Sequence, residues 1–90
     1  MKKLPEKYLR NGYLYILVRR DEKKALYSQS YDNILVGYEV FKIRVQRARF
    51  SQIIGTYIPA HERFPSNSDF GRSAWAIIDL NDALIRYNQI

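Results

Sequence analysis

Leu35–Arg49, LVGYEVFKIRVQRAR, is the stretch whose reading decides the fold. From Phe41 it alternates, with Phe41, Ile43 and Val45 pointing one way and Lys42, Arg44 and Gln46 the other. A period of two marks a strand buried on one face. At about 3.3 Å per residue the run could cross a small domain nearly twice. A bend or bulge is therefore expected near Gly37, where the alternation breaks. The outer face carries Lys42 and Arg44, and the distal end adds Arg47 and Arg49.

Ninety residues make one small domain, with residues 1–10 as a basic N-terminal arm. A chain of this size buries roughly 60–65% of its unfolded surface, so a partner could add usefully to its stability. With 47% hydrophobic and 27% charged residues, the composition is that of a globular protein. Tyr is over-used: there are eight, against four Phe and one Trp. Its apolar body and wet tip suit half-buried sheets and binding surfaces alike.

The net charge of +6 is unevenly spread. Residues 1–50 hold twelve Lys/Arg and five Asp/Glu, a balance of +7; residues 51–90 hold three and four, a balance of −1. One electropositive face is expected, of the kind that attracts nucleic acid or another polyanion. Cys is absent, which excludes disulfides and thiolate metal sites and fits a reducing cytoplasm. The start, MKKLPEK, has no apolar segment behind its charges, and the longest apolar run, Tyr13–Val18, is too short to span a bilayer. A soluble cytoplasmic chain with no membrane contact is the expectation.

Along the chain, Met1–Arg10 reads as a frayed arm or, from Glu6 to Arg10, a short helical turn, closed by the turn signal Asn11-Gly12. Tyr13–Arg20 reads as a strand, with Leu14, Ile16 and Val18 inward and Tyr13, Tyr15 and Arg19 on the other face. Asp21–Lys24 tips a hairpin, and Ala25–Tyr31 returns. Asp32-Asn33 turns into the long strand and completes a meander. Ile53–Ile58 has strand composition and could offer an exposed edge, including to a second copy of the chain. Pro59–Gly71 reads as a long loop held by Phe64 and Phe70, with His61, Glu62 and Arg63 as its exposed tip. Arg72–Ile78, RSAWAII, reads as a buried central strand, with a helix as the rival reading. Asp79 then caps a helix over Leu80–Asn88, where Leu80, Ala83, Leu84 and Tyr87 recur at helical spacing.

Catalytic and metal chemistry find little to work with. His61 is the only His and has no second nitrogen or sulfur ligand to join it. Asp69-Phe70-Gly71 copies the kinase magnesium tripeptide without the glycine-rich loop, strand Lys or catalytic loop that give it meaning. The four Gly make no phosphate loop. Glu39 is the only acid inside an expected strand; if inward, it pairs with an Arg across the sheet or marks the bend. No enzyme, no cofactor and no metal are expected. What remains is the sheet surface. If Tyr13, Tyr15 and Arg19 share a face with Lys42 and Arg44, rings stand among cations, as on surfaces that bind single-stranded nucleic acid. Arg47 and Arg49 extend that set. The alternative is a solvated face on which rings cover Lys and Arg stems.

Gly37–Val45, GYEVFKIRV, and the tail Pro65–Ile90, PSNSDFGRSAWAIIDLNDALIRYNQI, resemble small proteins carried by bacterial phages and mobile elements. The resemblance covers about half the chain and implies a setting, with no site residues. The strand followed by Asp79-Leu80 and Ala83 is also similar to the end of WGR-type nucleic-acid modules, although Trp75 here precedes Ala76 and the Trp-Gly-Arg itself is missing.

The expected architecture is α+β: an antiparallel sheet of four to five strands with one C-terminal helix packed on one face. Its core should hold Leu14, Ile16, Val18, Phe41, Ile43, Val45, Trp75, Ile77, Leu80 and Leu84. The expected function is a non-catalytic basic module binding nucleic acid through Tyr13, Tyr15, Arg19, Lys42, Arg44, Arg47 and Arg49. A module that binds an acidic protein surface is the alternative.

Overall fold

The computed structural model describes residues 1–90. Strands β1 (Lys7–Arg10), β2 (Tyr13–Arg20), β3 (Lys24–Tyr31) and β4 (Ile34–Lys42) form an antiparallel meander. The chain then leaves the sheet through β5 (Arg44–Gln46), β6 (Arg49–Ser51), β7 (Thr56–Ile58) and β8 (His61–Arg63). It returns as β9 (Ala74–Ile77) beside β4 and ends in helix α1 (Leu80–Gln89). The sheet order is β1-β2-β3-β4-β9, and α1 packs across β3, β4 and β9. This is the expected α+β architecture.

Turn chemistry explains the meander. Asn11 and Gly12 adopt φ of 53° and 84°, and Asp32 and Asn33 adopt 51° and 64°. Two-residue hairpins with both central residues at positive φ match the twist of the strands they join, and Asn, Asp and Gly tolerate that region best. At the third turn Asp21 Oδ1 accepts the backbone N–H groups of Lys23 and Lys24 at 2.7 and 2.9 Å. The Asn-Gly hairpin also corrects the arm. Lys7–Arg10 is a strand, not a frayed or helical segment, because the turn sets Arg10 opposite Tyr13 and the ladder runs on to Lys7 opposite Ile16.

The bend in the long strand lies where the alternation breaks. Gln29 pairs with Gly37 but Ser30 with Leu35, so Val36 is an extra residue bulged out of β4. Gly37 is needed there for a second reason. A Cβ on it would stand 3.0 Å from the Ile77 carbonyl oxygen of the neighbouring strand.

Two cores lie on the two sides of the sheet. Leu26 and Val40 face α1 and pack with Ala83 and Tyr87, flanked by Tyr38, Ile77, Leu84 and Ile90. Asp79 caps the helix by accepting the Asp82 backbone N–H at 3.1 Å. On the opposite face Ala25, Tyr27, Phe41 and Ala74 pack under Leu4 and Phe64, with Tyr15, Leu17 and Ile43 at the margin.

The facing of β2 is the reverse of that expected. Tyr15 and Leu17 point to the second core, while Ile16 and Val18 are 40% and 47% exposed. A ten-residue helix is about 15 Å long and reaches β3, β4 and β9 but not β2. The aliphatic side of β2 is therefore left open, and the tyrosine side is covered by the N-terminal segment and the excursion after β4. Val45 and Leu80 are exposed as well. Arg72–Ile78 is not a central strand: β9 stands at the sheet edge, with Ala74 buried, Ala76 exposed and Ile78 beyond the strand. Ile53–Ile58 is not one strand either. Ile53 and Ile54 occupy the turn of the β6–β7 hairpin, and only Thr56–Ile58 is paired, to Arg49–Ser51.

Candidate functional site

The residues expected to form one surface are divided among three places. Opposite residues on neighbouring strands share a face, so the register assigns each of them. Tyr13 and Tyr15 lie with Gln29, Tyr31 and Glu39 on the face away from α1. Arg19 and Lys42 pair with Leu26 and Lys24 on the helix side. The rings of Tyr13 and Tyr15 and the cations Arg19 and Lys42 are thus on opposite faces, and the expected surface that joins them does not form. The physical reason is a bulge at Val18, which puts Arg19 on the same side as Leu14 and Ile16.

Arg44 is engaged elsewhere. Its guanidinium sits 3.3 Å from Asp69 Oδ1 and 3.5 Å from Ser73 Oγ. Asp69 also accepts the Ser66 backbone N–H at 2.9 Å, and that bond, the Ser66 hydroxyl and Arg44 hold its carboxyl below the usual range. Arg47 and Arg49 remain exposed and unpaired beside the β6–β7 hairpin. That hairpin is a separate two-stranded element standing away from the sheet. Phe50 and Tyr57 pack edge to face across it at 5.2 Å, both largely exposed, and Ile53 at its turn is 99% exposed. The sequence from Val40 to His61 contains no acid.

The His61–Arg63 segment is not an exposed tip. It pairs with β5, and Glu62 is buried. Arg20 grips the Glu62 carboxylate with two nitrogens, at 2.7 and 3.0 Å, and the Leu4 backbone N–H donates to it at 2.9 Å. The Arg20 hydrogen bonds hold the Glu62 carboxyl down at about 2 despite its burial. Three segments distant in sequence are tied there, and the tie holds Phe64 over the sheet. Phe64 stacks on Tyr8 at 4.3 Å and meets Tyr27 edge-on at 5.2 Å. Phe70, expected as a second anchor, is 36% exposed.

With Phe64 in place, the sheet face away from α1 becomes a cleft of about 410 Å³. Tyr8, Tyr13 and Tyr15 supply its aromatic surface, Phe64 and Phe70 stand along it, and Arg10, Gln29 and Asn67 add polar groups. Glu39 also lines it, half-buried and in no ion pair. Burial raises the Glu39 carboxyl above its ordinary value; the Tyr15 hydroxyl and the charge of Arg10 partly oppose the shift. Burial and the adjacent Glu39 push the Tyr15 hydroxyl up to about 12, so it is a neutral donor at physiological pH, and it accepts from Gln29 Nε2 at 3.1 Å.

Sequence reasoning found Tyr13 and Tyr15 but missed Tyr8, Arg10 and the place of Glu39. The first two were legible in Asn11-Gly12: a two-residue hairpin signal brings the residues before it alongside those after it. Glu39 is neither of the things expected of it. It is inward without an Arg partner, and the bend falls at Val36. The His61 side chain stays local, its Nδ1 lying 3.1 Å from the Pro59 carbonyl oxygen, and no group of three His or acidic residues is arranged to hold a metal ion. No helix is long and apolar enough to cross a membrane. Compared with protein families, with curated proteins and with solved structures, the chain matches none.

Proposed function

We propose that this protein is a non-catalytic nucleic-acid-binding module that holds the phosphate backbone with the excursion between β4 and β8. One observation carries the reading: Val40–His61 is free of acids, and its free cations Arg47 and Arg49 stand at the base of a hairpin that projects from the sheet. Unpaired Arg side chains on a projecting ribbon reach phosphates without the cost of breaking an internal ion pair. Lys42 lies within that stretch with no ion pair of its own, whereas Arg44 would first have to leave Asp69. A phage or mobile element as its setting rests on the resemblance of Gly37–Val45 and Pro65–Ile90.

Fluorescence anisotropy with labelled single- and double-stranded oligonucleotides over a salt series tests the proposal. Affinity should fall with salt, and R47Q/R49Q should lower the log–log slope by about 1.4 on single strands, from about 0.7 per phosphate contact. Binding that ignores salt, or none at low salt, would remove the reading.

A second reading is favoured by Phe50, Ile53, Ile54 and Tyr57, four large apolar side chains exposed on one small hairpin. Clustered exposed apolar groups mark protein contacts, and the hairpin would then seat on a protein whose acidic surface meets Arg47 and Arg49. Capture of partners from extract with and without nuclease separates the two, because only protein partners survive the nuclease.

A further inference from the structure

Glu39 is difficult to account for by folding alone. A carboxylate facing a half-buried cleft usually has a cation on it, since losing water without compensation is costly. Glu62, on the same face of the molecule, has Arg20, Lys3 and the Leu4 N–H. Glu39 has neither a cation nor a backbone N–H on it; its one partner is the Tyr15 hydroxyl, which a ligand would have to displace or share. Glu39 lines a cleft together with Tyr8, Tyr13 and Tyr15, and Arg10 lines the same space. The carboxylate, the tyrosine rings and the single cation each match a different part of one kind of ligand.

We infer that the cleft is a base-selective subsite in which Glu39 receives the Watson–Crick edge of an unpaired guanine. The inference rests on the nucleic-acid reading and names the base it prefers. Guanine alone among the common bases presents two adjacent donors on that edge, N1–H and the 2-amino group. A carboxylate presents two adjacent acceptors, and such two-point contacts are the strong, directional ones. Adenine, cytosine and thymine each set an acceptor beside their donor and would bring a lone pair against a Glu39 oxygen. The tyrosine rings supply stacking surface, as single-strand binders use it. Arg10, in the same cleft, would neutralise a 5′-phosphate. The Gln29 amide, now donating to the Tyr15 hydroxyl, is a donor within the same cleft and suits the guanine O6 acceptor.

The test has two independent readouts. Guanosine monophosphate is titrated against the intact chain by NMR, with adenosine, cytidine and uridine monophosphates as comparisons. In parallel, anisotropy compares thymidine oligomers carrying one central guanosine, adenosine or cytidine with the all-thymidine oligomer. The expected result is saturable guanosine monophosphate binding that shifts signals of Tyr8, Tyr15 and Gln29, and a guanosine preference of about tenfold or more, the scale of lost hydrogen bonds to a charged group. E39Q should remove both, and acidification that protonates Glu39 should weaken guanine binding. If the oligomers bind without base preference and the monophosphates leave the cleft signals unmoved, the guanine subsite is overturned while the backbone grip stands. If no oligomer binds at low salt, the proposed function falls. Guanosine monophosphate binding that E39Q abolishes would still establish the subsite, and its absence would overturn that too.

Discussion

Glu62→Gln tests whether the Glu62–Arg20 pair, and not the loop aromatics alone, holds the excursion against the sheet. The Glu62 carboxyl is held at about 2, against an ordinary 4.5. Two and a half units at 1.36 kcal/mol each give about 3 kcal/mol of stability from its ionised form. The side chains are well shielded, 3% and 19% exposed for Glu62 and Arg20, so solvent screens the pair only slightly. Gln keeps an oxygen for the Leu4 N–H but leaves the Arg20 charge without its counter-ion. For a domain this small, 1 kcal/mol moves the melting temperature by about 4–8 °C, so E62Q should melt about 12–24 °C lower at pH 7. Because the folded pKa lies below the unfolded one, the stabilisation is complete above about pH 5 and drains away as pH falls toward 2. The variant lacks that group, so its stability should depend less on pH over the same window. Denaturant unfolding followed by circular dichroism from pH 2 to 7 measures both effects. A loss under about 1 kcal/mol, or an acid limb parallel to that of the wild type, would refute the reasoning.

Phe64→Ala should cost about 3 kcal/mol, because the ring packs on Tyr8, Tyr27 and Phe41; Phe70→Ala, at a 36% exposed residue, should cost clearly less in the same unfolding assay. Equal losses would put the loop's anchor elsewhere. Glu39→Gln should raise the melting temperature at pH 7. The folded carboxyl is raised, so ionising it costs stability as pH climbs through and above its unfolded value, and the gain should vanish below about pH 4, where the carboxyl is protonated in both states. A destabilised variant would mean that the hydrogen bond from the Tyr15 hydroxyl outweighs the cost of burying the charge.

Local chemistry settled much of this fold. Asn11-Gly12 and Asp32-Asn33 allow positive φ, the alternation in Tyr13–Arg20 and Phe41–Gln46 marks strands, and Asp79 begins a helix wherever the chain leads. Those signals act over a few residues, so the meander, the bulge beside Gly37 and the terminal helix can be read in one dimension. Which face of β2 is covered cannot, because both faces carry large apolar side chains: Leu14, Ile16 and Val18 on one, Tyr13, Tyr15 and Leu17 on the other. The choice depends on how far α1 reaches across the sheet and where the excursion returns. The same holds for Glu62, which sits in a loop-like sequence and is buried because Arg20 and Leu4 reach it from more than forty positions away. The cleft is likewise a product of tertiary structure. Tyr15 and Glu39 belong to different strands, and only the strand register and the packing of Phe64 bring them into one space. Short-range sequence selects turns, periods and caps through backbone sterics and side-chain shape. Which side of a two-sided sheet meets water is decided by long-range packing, and the candidate site lies on that side.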